Sequence, residues 1–165
     1  MRRIIVMLVA VAIMCLGAFY AWSTLFSSDA GGTSVADSPV VLTQGAESGA
    51  EVPEEVARTT FKSFAMAMAR DDPKGACRFA SYQGRPVEES DHWDACLSRV
   101  EETVDSLSAA QRAAVQDGLR SGTYTASPTQ GGVKVTTTVL GQTLSGVVTA
   151  AGHTARVDLE SVQRR

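Results

Sequence analysis

Aromatic residues make up only 6% of this 165-residue chain: five Phe, three Tyr and two Trp. A core drawn from such a composition rests mainly on Val, Leu, Ala and Met. Lysine is scarce, with three against twelve arginines. No basic patch with interleaved aromatics occurs, which argues against a nucleic-acid partner. A serine nucleophile elbow, a glycine-rich phosphate loop and a zinc-protease helix are also lacking, so none of those chemistries is signalled. The sequence assigns no catalytic, cofactor-binding or metal site. Cysteine occurs three times, at positions 15, 77 and 96.

What the chain does have is one long apolar run. Ile4 to Phe26 contains no charged residue. As a helix this run spans about 35 Å, enough to cross a ~30 Å hydrocarbon core. Arg2 and Arg3 precede it, and the first charge after it is Asp29. The positive-inside tendency then places the N-terminus in the cytoplasm and everything after Phe26 outside. Tyr20 and Trp22 fall near the outer end, at headgroup level. The alternative is a secretory signal cleaved after Ser28-Asp29-Ala30. The run exceeds the ~7–15 residues of a signal core, which favours a retained single-pass anchor over residues 1–26. Met14 before Cys15 does not suit a lipoprotein signal. Both readings send the remainder out of the cytoplasm. An anchored chain has the membrane as its first partner and an envelope or membrane protein as the expected second.

Residues 27–52 are rich in Ser, Gly, Ala and acids and sustain no helical or strand period. They read as a flexible linker, with Val40-Val41-Leu42 its only apolar run. From Pro53 onward the chain carries 13 basic and 14 acidic residues, close to neutrality. Residues 53–165 form one small domain.

Pro53 suits the first turn of a helix, and Glu54 and Glu55 suit its positive end. Ala57, Phe61, Phe64 and Met68 draw one apolar stripe to about Arg70. Asp72 and Pro73 restart a short helix running to about Tyr82. Gln83 to Ser90 reads as a loop. Ser90 or Asp91 caps a third helix striped by Trp93, Leu97, Val100, Val104 and Leu107. Ser108 and Gln111 have the spacing of a capping box for a fourth, which ends between Gly118 and Gly122. Strand signals follow: Thr123–Ala126, Val133–Leu140, Thr143–Thr149 and Thr154–Glu160. Gly141-Gln142 is the expected hairpin turn of the middle pair. In the last strand Ala155, Val157 and Leu159 are expected inward, and Arg156, Asp158 and Glu160 outward. The predicted fold class is α+β: a transmembrane helix, then three to four helices packed on a curved antiparallel sheet of three to four strands.

The order of Phe61-Lys-Ser-Phe64, Ala69-Arg-Asp-Asp-Pro-Lys-Gly-Ala-Cys77 and Cys96 before a meander resembles the secreted NTF2-like (cystatin-like α+β) domains of high-GC Gram-positive bacteria. The resemblance covers roughly residues 53–160 and implies a homodimer through the open sheet face. Such domains commonly close with an aromatic-bearing strand, whereas this chain ends in Ser161-Val-Gln-Arg-Arg165.

Cys77 and Cys96 are an even pair in an oxidising compartment and read as a disulfide. The alternative is zinc, with Asp91, His92 and Cys96 within six residues and Cys77 nearby. External thiol pairs usually oxidise, which favours the bridge. Tyr82, Tyr124, His153 and Asp158 are the groups on hand for acid–base work, and no pair of them shares an inward face by register. The concavity between helices and sheet is the default ligand site, with Phe61, Phe64, Met68, Trp93, Leu97 and Tyr124 as candidate lining and Met66 close by. Core packing is the more frequent role of such a stripe. The expected function is a non-catalytic, membrane-anchored accessory or protein-interaction module of the envelope. A small-ligand or lipid-binding pocket domain is the alternative, and a hydrolase or isomerase a weaker third.

Overall fold

The computed structural model describes residues 36–42 and 51–164. The expected anchor at 4–26 lies outside those residues. Among the described residues no helix is long and apolar enough to cross a membrane.

Helix α1 (Glu54–Ala69) starts at Pro53, with both first-turn glutamates paired to Arg58. Asp71, at φ +61, ends it. The Asp72 carboxylate then accepts from the Gly75 N–H and opens α2 (Pro73–Arg78). This second helix is shorter than predicted. Two small strands follow it, β1 (Ala80–Tyr82) and β2 (Arg85–Pro86), and then a 3-10 turn, Val87–Glu89. Gln83 and Gly84 make the turn between the strands with φ +50 and +74. Helix α3 (Trp93–Asp105) has no side-chain cap; Ser90 Oγ instead accepts from the His92 N–H. Helix α4 (Ala109–Ser121) carries the capping box that the sequence predicts, with Ser108 and Gln111 bonded reciprocally. Four longer strands complete the chain: β3 (Tyr124–Thr129), β4 (Gly132–Val139), β5 (Gln142–Ala151) and β6 (Thr154–Arg164).

The sheet corrects the predicted fold class. It has six strands in the order β2-β1-β6-β5-β4-β3, and it is mixed rather than antiparallel. The parallel pair is β1 with β6, where Ala80 lies beside Val157 and Ser81 beside Asp158. The prediction fails because 80–82 reads as the end of a helix. Those residues are too few to show a period of their own, and a partner some 75 residues away stabilises them as strand. The hairpin turn is also displaced by one residue. Val139 pairs with Gln142, so the turn is Leu140-Gly141.

Register sorts the two faces. Val133 and Val135 on β4, Val148 on β5, and Ala155 and Val157 on β6 form the inner face and are buried. Helix α1 lies against strands β3 to β6 and sets Phe61 and Phe64 into this layer. Near its end β6 bulges. Asp158 opposes Val147 and Gln163 opposes Ser145, so four residues, Leu159 to Val162, face Gly146 alone. The Val147 N–H donates to Ser161 Oγ at 2.7 Å.

Arg156 is a second correction. It stands on the outer face as alternation requires, but it is only 5% exposed. Its guanidinium donates to the Arg78 carbonyl, to Glu88 Oε1 at 2.8 Å and to Thr154 Oγ1 at 2.8 Å. The 3-10 turn and α2 cover it, which strand periodicity cannot anticipate. Beside it, a disulfide joins Cys77 on α2 to Cys96 on α3. The described part of the predicted linker is docked. Leu42 N–H bonds the His153 carbonyl, Ala155 N–H bonds that of Val40, and Ala36 N–H bonds Ser63 Oγ on α1.

Candidate functional site

An apolar groove of about 260 Å³ opens where α1, the end of α3, α4 and the β4–β5 turn meet. Small residues on α1, Ala65 and Ala69, leave its floor open beside Met68. Val104, Leu107, Val115 and Leu119 wall it from the helical side, and Val139, Leu140 and Leu144 from the sheet. Helix α4 lies close on β4 there. A Cβ at Gly118 would stand 2.7 Å from Val139 Cγ1, so only glycine permits that approach.

Two features mark the rim. Leu140 is 63% exposed and stands at the groove's edge. It also sits at φ +51, followed by Gly141 at φ +76. A left-handed backbone costs a side-chain-bearing residue roughly 1–2 kcal/mol, and such hairpin turns favour asparagine before glycine. The second feature is Arg164, whose Nε donates to Gln142 Oε1. It is the single charged residue among the described lining, which contains no acid.

A larger and more polar pocket of about 490 Å³ has Asp158 and Glu160 in its wall, with Glu51, Gln83 and Thr149. Burial raises the Asp158 carboxyl above its ordinary value. The Glu160 N–H partly offsets that rise, and the Glu160 charge adds to it. Pro128, Thr129, Gly131 and Gly132 at the β3–β4 hairpin add to the wall.

Of the six residues predicted to line a pocket, Met68 lines the groove. Phe61 and Phe64 are 0% and 2% exposed and belong to the core under the sheet. Trp93 and Leu97 pack partly buried against that core from α3. Tyr124 is buried, and its hydroxyl donates to the Leu119 carbonyl at 2.7 Å. Burial also pushes its phenol upward from the ordinary value. Met66 is buried as well.

The acid–base candidates are dispersed. Tyr124 pairs with Thr137 on the inner face, whereas Asp158 pairs with Val147 on the outer one. His153 is exposed in the β5–β6 turn. Tyr82 stacks at a tilt on His92, with ring centroids 4.0 Å apart. Cys96 is committed to the disulfide, and among the described residues no three metal-ligating side chains gather. Sequence reasoning missed Val115, Leu119, Leu140 and Arg164. Leu107, Gln111, Val115 and Leu119 recur at intervals of four, which was the available signal, but the break at Ser108 separates it into two elements.

Comparison with protein families, curated proteins and solved structures finds no match for this chain.

Proposed function

We propose that this chain is a non-catalytic binding module of the cell envelope, held at the membrane by residues 4–26, and that the groove beneath Leu140 is its binding site. The observation that carries the reading is the groove's wall: mostly aliphatic, acid-free, and edged by an exposed leucine. Such a surface gains from burying apolar groups and offers no proton donor–acceptor pair to a reacting centre. Membership of the NTF2-like domains is part of the same proposal, supported by a helical layer on one face of a sheet.

A second reading, docking of an envelope or membrane protein, is supported by the expected anchor and extracytoplasmic placement. The two separate by site-specific photo-crosslinking of the full chain in its membrane, with the crosslinker at Leu140 and, as control, at exposed Thr138 on the adjoining strand β4. A discrete small adduct at 140 alone is expected. A protein-sized adduct at 140 supports the second reading. Identical patterns at both positions defeat the groove as a site.

A further inference from the structure

We infer that the ligand of this groove is a single-chain amphiphile of the fatty-acid class, its carboxylate read by Arg164 and its chain lying under Leu140. The inference rests on the binding-module reading above and adds the chemistry of the occupant.

Size comes first. The groove holds about 260 Å³, just under the range typical of drug-sized ligands. A groove of that size suits a slender apolar chain better than a bulky ring system. Charge comes next. The lining is apolar over most of its area, and Arg164 is its one charge. Guanidinium presents five N–H donors in a fork that matches a carboxylate, and the bond to Gln142 uses one of them. With no acid in the wall, nothing within the groove repels an anionic head.

Leu140 supplies an independent argument. Its positive φ asks for asparagine or glycine on backbone grounds. Leucine is the costlier residue for this turn. A chain lying beneath it converts the exposed side chain into a lid contact.

The test uses the full chain in phosphatidylcholine nanodiscs and a diazirine-bearing decanoic acid, with the matching decanol probe as its neutral counterpart. Labelled positions are read by mass spectrometry of tryptic peptides. The acid probe is expected to label the groove saturably, and about tenfold more tightly than the alcohol. Arg164→Gln, at an exposed position, should remove that preference, bringing acid labelling down to the level of the alcohol. Leu140→Asn should raise the melting temperature and weaken labelling by both probes, a combination that a purely structural role for Leu140 does not produce. Equal labelling by acid and alcohol in the unmodified chain would overturn the fatty-acid inference and leave the binding site standing. Absence of saturable groove labelling by either probe would overturn both.

Discussion

Gly146 and Phe61 share one space. A Cβ placed on Gly146 would stand 2.9 Å from Phe61 Cε2, closer than such atoms approach. Phe61 is fully buried where α1 sets it against the sheet. The same glycine faces the bulge of β6, so the ladder is interrupted where the ring presses. Gly146→Ala should therefore lower stability by about 1–3 kcal/mol through overpacking. Urea unfolding of the full chain in detergent measures it. An unchanged midpoint would mean that the ring shifts freely, contrary to this packing.

The disulfide joins residues 19 apart in sequence, on two helices that also pack against each other. Its removal by Cys77→Ala with Cys96→Ala should cost about 3 kcal/mol on the chain-entropy account. Both sulfurs are buried, so mild reductant should act slowly on the folded protein. Thermal melts of the double variant, set beside melts of the fully reduced protein, check both statements.

Arg156 and Glu88 form a pair of unequal partners, with side chains 6% and 36% exposed. Removing the arginine also strands the Arg78 carbonyl, whereas removing the glutamate charge leaves the other two arginine bonds in place. Arg156→Met should thus cost about 2–3 kcal/mol and Glu88→Gln less than about 1 kcal/mol. Equal losses in chemical denaturation would assign the effect to the ion pair alone.

Asp158 sets a pH dependence with a definite sign. Its carboxyl titrates above the ordinary value because the folded chain partly buries it. The folded state therefore holds the proton more tightly than the unfolded one. The resulting contribution is present below the unfolded-state pKa of about 3.9 and is lost as pH rises through the raised folded value. Asp158→Asn should flatten the melting-temperature profile across that window and slightly stabilise the protein at neutral pH, within about 0.5 kcal/mol. A steeper profile in the variant would reverse the assignment.

Local signals in the sequence survive folding where one element satisfies itself. The Asp72 cap, the Ser108–Gln111 box and the valine alternation of β4 depend on neighbours three, three and two residues away, and all are present. Contacts across long separations were not legible. Ala80–Tyr82 becomes strand only beside Val157, and Arg156 is buried only because Glu88 and Arg78 fold over it. The groove belongs to the same class. Met68, Leu107, Leu119 and Leu140 come from four separate segments, and no local pattern states that the four converge.

The sheet's two outer strands bear on behaviour in a crowded setting. β2 is two residues long and ends in Pro86, and β3 carries Pro128. Thr129 and Gly132 close the β3–β4 hairpin, so alternation gives Pro128 a position whose missing N–H falls on the solvent side. Neither border offers an uninterrupted row of donors and acceptors to a strand from another molecule. Copies concentrated side by side on a surface are thereby protected from fusing into a continuous cross-molecule ribbon, the first step toward fibrillar aggregates.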